Sequence, residues 1–178
     1  GHAHEIGPVH FCTAYFPGDF DKRKRHETYV AALKAVGVEV RFGHVTSQPQ
    51  SCLRCGHRWD QPREKETDIN VALAMYADCV FGRVDVAFLI TADTDQPATL
   101  KAIRAAGALT KIVVVTPPGR TKSKHLRDLS DANLQITEDQ LDLSVFPALI
   151  TTENGKLIPR PDRYRPPSGW VHPDDRKT

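Results

Sequence analysis

The chain has 178 residues, 40% hydrophobic and 26% charged, and its 24 Lys and Arg against 22 Asp and Glu leave a formal net charge of +2. Near-average composition over this length reads as one core with room for a small appendage, and argues against intrinsic disorder or two packed cores. No run approaches the roughly 18 apolar residues a membrane helix needs, and residues 1–10 lack the pattern of a signal peptide. Four cysteines, of which only Cys52 and Cys55 are close together, do not make a secreted disulfide framework. The expectation is a cytoplasmic protein without membrane contact, its cysteines reduced or metal-bound. A charge near balance demands no polyanionic partner, although basic clusters stand at residues 22–25 and 120–127.

In chain order, residues 9–16 (VHFCTAYF) read as a strand closed by Pro17-Gly18. Asp19 or Asp21 caps a helix over about 22–36, with Tyr29, Leu33 and Val36 as its apolar stripe and Gly37 as its stop. A strand at 38–42 follows. Residues 43–64 show little periodicity and are expected to form a long loop, a common carrier of function. Residues 67–80 recover helical spacing through Ile69, Leu73 and Tyr76, and 84–91 (VDVAFLIT) reads as a central strand buried on both faces. A helix at 97–106, a fully apolar strand at 111–116, a helix near 123–129 and a weak strand at 134–136 complete the pattern. Strands alternating with helices predict a mainly parallel sheet between helical layers, a three-layer α/β/α fold of Rossmann-like type. This domain is expected over residues 1–146. Residues 147–178 form an extension, with a two-residue hairpin turn at Asn154-Gly155 and a Pro/Arg-rich tail that packs on the domain or stays disordered.

Ligands of an open parallel sheet bind beyond the carboxyl ends of its strands. The loop after the most apolar strand reads Thr91-Ala92-Asp93-Thr94-Asp95. Two carboxylates so placed repel each other unless a cation or proton intervenes, and a divalent metal is the natural solution. Asp68, opening the preceding helix, would complete an oxygen-rich Mg²⁺ or Mn²⁺ site with Asp93 and Asp95. Against this stands a plain alternative: Asp93, Thr94, Asp95, Thr67 and Asp68 are all good helix caps whatever the function.

The segments EKETDINVAL and VDVAFLITADTDQPATLKAI resemble the central signature of the NYN domains, a branch of the PIN-like nucleases. In that family a Lys is followed three residues later by an Asp that opens a helix, and an apolar strand then runs into a Ser/Thr-x-Asp-x-Asp loop. Lys65, Asp68, Asp93 and Asp95 match these positions, and PPGRTKSKHLRDLSDANLQI also resembles the family, so the likeness covers about residues 9–146. The family's opening strand, with its Asp-Gly-x-Asn motif and first metal-binding carboxylate, does not occur before Val9. Either the chain lacks its natural N-terminus, or the ligand has been lost, or another acid replaces it. A missing central strand would expose a sheet, to be covered by pairing or by a second chain, and a homodimer is one outcome.

The resemblance implies a PIN-like fold and metal-dependent hydrolysis of RNA phosphodiesters. Asp68, Asp93 and Asp95 would be metal ligands, Lys65 would contact phosphate and Asn70 would orient water. Single-stranded RNA would also meet the basic turn Arg120, Lys122, Lys124 and His125 at the carboxyl edge, for which a solvated helix face is the alternative. Tyr164 and Trp170 either stack on bases or pin the tail, and His26 reads as a surface residue.

Cys52-Leu53-Arg54-Cys55-Gly56-His57 has the form of half a structural zinc site. Cys12 and Cys79 read as apolar filler, so His57, His44 or a second subunit would have to supply the rest. Reduced loop thiols or a redox pair are the alternatives. Two further functions compete with the nuclease. One is a non-catalytic RNA-binding module on the same fold. The other is a small-molecule enzyme, since some sequences resembling this family belong to bacterial pyridine-catabolism systems.

Overall fold

In the computed structural model, residues 5–121, 123–173 and 176 are described. They form a mixed α/β protein whose strands fall into four small sheets, two of them parallel. The chain divides into two units, Gly1–Val71 with Ala148–Tyr164, and Ala72–Pro147 with Arg165–Thr178.

The first unit begins as a βαβ turn. Strand β1 (His10–Thr13) lies parallel to β2 (Glu39–Phe42), and helix α1 (Phe20–Ala35) connects them. Asp19 starts α1 by accepting the Lys22 N–H at 2.8 Å, and Gly37, at φ 85°, ends it. The buried face of α1 is Val30, Ala32 and Leu33, whereas Tyr29 and Val36 of the expected stripe are exposed. The buried stripe therefore sits rotated from the one read in the sequence, with the Tyr29 ring set edge to face against Phe11 at 5.9 Å. His26 is half-buried rather than on the surface, held by Thr13 Oγ1 at 3.0 Å and the Tyr15 ring.

Residues 43–64 are not a loop. They form an antiparallel ribbon of β3 (His44–Ser51) and β4 (Arg58–Lys65), which continues the chain from β2 into helix α2 (Thr67–Val80). The ribbon escapes a hydrophobic-period search because β4 is exposed along almost its whole length. Its two prolines fit the register. Cys52 N–H donates to His57 O, and alternation from that pair puts Pro49 (opposite Asp60) and Pro62 (opposite Ser47) at positions without ladder hydrogen bonds. Strands β8 (Leu149–Thr151) and β9 (Leu157–Pro159) make a second hairpin that packs on α1 and buries Ile150 and Ile158. Its turn has three residues, not two: Thr152 N–H bonds Lys156 O across the loop, and Gly155 takes φ 79°. A 3-10 turn at Asp162–Tyr164 closes the unit.

The second unit holds a three-stranded parallel sheet in the order β5 (Val86–Ile90), β6 (Lys111–Thr116), β7 (Ala132–Gln135). Helices α3 (Pro97–Ala105) and α4 (Lys124–Leu129) pack together, and Leu100, Ile103, Ile112 and Leu126 form the fully buried core. The central strand is β6, buried from Ile112 to Thr116. Among the described residues β5 pairs with β6 alone, and Val86, Phe88 and Ile90 are 41%, 62% and 63% exposed. The expectation of a β5 covered on both faces is therefore corrected: its apolar alternation faces outward. Ile69, Leu73 and Tyr76 of α2 are likewise exposed, and the buried face of that helix is Ala74, Met75, Asp78 and Cys79. A further helix, α5 (Glu138–Leu143), follows β7 behind a reciprocal capping box of Thr137 and Gln140.

Asp131 ties the amino end of this sheet. Its carboxylate accepts the Ile112 N–H at 2.6 Å and pairs with the Arg104 guanidinium, which also donates to Thr110 O at 2.9 Å. The Ile112 N–H and Arg104 hold the Asp131 carboxyl below its usual range. At the tail, Trp170 Nε1 donates to Asp142 at 2.9 Å and Arg176 pairs with the same carboxylate. Trp170 thus pins the tail.

Candidate functional site

The predicted residues fall at two places. In the first unit, Lys65, Asp68 and Asn70 gather at the corner between β4 and α2. This corner is built by its backbone. Glu66 stands at φ 75°, a left-handed conformation that costs a non-glycine residue about 1 kcal/mol or more. Gly43 lies directly beneath it, where an added Cβ would come within 2.3 Å of Lys65 O and 2.8 Å of Thr67 Oγ1. Glu64 accepts the Thr67 N–H at 2.8 Å, and Thr67 Oγ1 donates to the same oxygen, so this carboxylate holds the start of α2. Glu66 pairs with His44 at 3.2 Å. Lys65 and Asp68 project from the corner as exposed side chains, and the Asn70 amide donates to Phe42 O at 3.3 Å. Gly43 and Glu64 went unnoticed in the sequence. A glycine directly after a strand was the available signal for the first.

In the second unit, Asp93 and Asp95 leave the carboxyl end of β5. Thr91 Oγ1 accepts the Asp93 N–H at 3.0 Å, and Asp93 Oδ1 accepts the Asp95 N–H at 2.9 Å. One Asp93 oxygen organises the turn ahead of α3 without capping the helix, whose N-cap, Gln96, makes no side-chain cap bond. The carboxyl end of the neighbouring β6 leads into the basic turn, where Arg120 is exposed, Ser123 caps α4 and Lys124 and His125 occupy its exposed first turn. Lys122 lies outside the described residues. The acidic and basic loops thus share one edge of one parallel sheet.

The cysteine motif is the tip of the β3–β4 ribbon. Gly56 N–H donates to Cys52 O at 2.9 Å, with Gly56 at φ 71°. Backbone N–H groups of Cys55 and Arg54 pull the Cys52 thiol below its ordinary range, while burial pushes Cys12 and Cys79 up. The His57 ring stacks on Trp59 at 5.9 Å. Among the described residues no group of three or more His, Cys, Asp or Glu stands close enough to hold a metal ion. No described helix is long and apolar enough to cross a membrane.

Each unit also has a cleft. That of the first, about 560 Å³, lies at the carboxyl end of β1 and includes Thr13, Phe16, Lys22, His26, Glu64 and Thr67. That of the second, about 520 Å³, lies at the amino ends of β5 and β6 near Asp85 and Lys111, the end opposite to Asp93.

No known family profile matches the chain. A stretch of 60 residues, 34% of the chain, is 42% identical to 6-hydroxy-3-succinoylpyridine 3-monooxygenase HspA of Pseudomonas putida. The matched stretch spans 19% of that protein, so the chain is similar to about a fifth of it.

Proposed function

We propose that this chain is a divalent-metal-dependent ribonuclease of the NYN type, with a PIN-like three-layer α/β/α fold, acting on single-stranded RNA in the cytoplasm. The observation that carries this reading is the shared sheet edge of the second unit, where two carboxylates follow β5 and a basic turn follows β6. That is the end of a parallel sheet at which ligands bind. The donors there suit a hard cation: Asp93 and Asp95 offer only oxygen, the chemistry of Mg²⁺ or Mn²⁺. A bound ion would acidify water and offset charge developing on phosphate. The chain's own residues do the rest. Arg120, Lys124 and His125, at the neighbouring strand end, hold the RNA backbone. One Asp93 oxygen fixes the turn, which leaves Oδ2 outside that bond for the cation. The family's Asp-Gly-x-Asn strand is not among these 178 residues.

The test is cleavage of a labelled single-stranded RNA in Mn²⁺, Mg²⁺ or chelator by the chain and by Asp93→Asn. Cutting that needs metal and falls at least about 100-fold in Asp93→Asn supports the reading. RNA that is bound but never cut sinks it in favour of a non-catalytic RNA-binding module.

The match to a pyridine monooxygenase favours a second reading, a small-molecule enzyme of pyridine catabolism. Saturable binding of 6-hydroxy-3-succinoylpyridine, with no affinity for RNA, would support it.

A further inference from the structure

We propose that the tip of the β3–β4 ribbon is half of a zinc site, completed by the same tip of a second copy. Cys52 and Cys55 of two chains would hold one Zn²⁺ in a tetrahedron of four thiolates.

Three observations lead there, and none depends on the ribonuclease reading. The first is local geometry. A chain that presents two sulfurs to one ion must turn tightly between them, and Cys-x-x-Cys followed by a left-handed Gly does so. Here Cys52 O accepts the Gly56 N–H at 2.9 Å, Cys52 N–H bonds His57 O at 2.8 Å, and Gly56 sits at φ 71°. A knuckle of this shape already sets the turn between the two sulfurs, so little ordering cost would remain for binding.

The second is the ligand count. A structural zinc site closes with four protein ligands, and among the described residues no third His, Cys, Asp or Glu joins this pair. Cys12 belongs to β1 and Cys79 to the buried face of α2, so neither is at the tip. A two-fold contact presents the same patch twice, and two ligands become four without any other residue.

The third is the surface of the tip. Cys55 is exposed and Leu53 fully so, at 103%, which leaves the knuckle open to a second chain and gives the contact an apolar side chain to bury. Four thiolates on one Zn²⁺ carry a net charge of −2. Arg54 lies between the cysteines and Arg58 follows them, and no acid occurs between Ser51 and Trp59. The tip therefore carries the opposite charge to the cluster it would form.

The experiment takes the reduced, metal-free chain, adds Zn²⁺, and measures zinc bound per chain together with mass by light scattering. The expected result is one zinc for two chains and a dimer that chelator returns to monomer. Co²⁺ in place of zinc is expected to give the intense absorption of a tetrahedral thiolate site with sulfur-to-metal charge transfer. Cys52→Ser and Cys55→Ser should each weaken zinc binding about 100-fold or more while helical circular dichroism is unchanged, because both lie at the ribbon tip and outside every helix. Zinc bound once per monomer overturns the two-copy site. Absence of binding by the reduced chain overturns the metal site altogether. A zinc-dependent dimer that survives the double serine variant moves the ligands elsewhere and overturns the assignment.

Discussion

The two acidic corners of this molecule are made in opposite ways. At the β4–α2 corner the backbone imposes the shape: Glu66 is held left-handed, Gly43 admits no side chain beneath it, and Glu64 serves the helix start. At the β5–α3 loop the backbone is ordinary, and the side chains make the shape, with Thr91 and Asp93 each accepting an N–H of the loop. The second unit repeats that habit at the amino end of the same sheet, where Asp131 accepts the Ile112 N–H. A corner set by backbone leaves the exposed Lys65 side chain outside the framework that shapes it. A loop set by side chains commits part of the Asp93 carboxylate to structure. The two corners should therefore fail differently under substitution.

The largest effect is expected from Gly43→Ala. The new Cβ would overlap Lys65 O at 2.3 Å and the Glu64 and Thr67 side-chain oxygens at 2.8 Å, and a backbone carbonyl between a ladder and a helix has little room to move. Overpacking of this kind costs about 3 kcal/mol. Urea unfolding should show a lowered midpoint, and the loss should be concentrated in the first unit. A midpoint within about 0.5 kcal/mol of wild type would mean that the corner yields freely, and the contrast with the β5–α3 loop would fall.

Asp131→Ala sharpens the other side of the comparison. It strands the Ile112 N–H and uncouples Arg104, at an expected cost of about 2 kcal/mol. The native carboxyl titrates below its ordinary value, chiefly because of the Ile112 N–H. Its stabilisation is therefore complete above the unfolded-state pKa and disappears as pH falls through the lower native one. The gap between wild type and Asp131→Ala should be flat from about pH 7 to 5 and close below about pH 4. Thermal melts across that range check it, and a gap that widens in acid would refute the sign.

What the sequence revealed follows the same division. Side-chain grammar was legible: Asp19 as a cap, Thr67–Val80 and Lys111–Thr116 as elements, and the carboxylate loop after β5. Backbone-built features were not. The β3–β4 ribbon is polar on both faces, so no period of two marks it, and its register rests on ladder bonds and two well-placed prolines. Glu66 at φ 75° carries no compositional sign at all. The capping box before α5 is readable as Thr137-Glu138-Asp139-Gln140, but the six-residue helix behind it is too short to show an apolar period. The outward turn of Val86, Phe88 and Ile90 was illegible for a different reason. An apolar alternation says that one face wants cover, not whether anything covers it.

The smallest effect is expected at Asp93, and it bears most directly on function. Asn keeps the Oδ1 that accepts the Asp95 N–H, so Asp93→Asn should change stability by less than about 0.5 kcal/mol. Asp93→Ala removes the acceptor and should cost about 1 kcal/mol, the usual loss of a turn-closing side chain. Denaturant midpoints of the two variants check the pair. If Asn is as damaging as Ala, the charge rather than the hydrogen bond shapes the loop, and the carboxylate is wholly structural. If Asn is neutral, the negative charge does nothing for folding, and a loss of RNA cleavage in that variant then reports on chemistry at the strand end rather than on a misfolded loop.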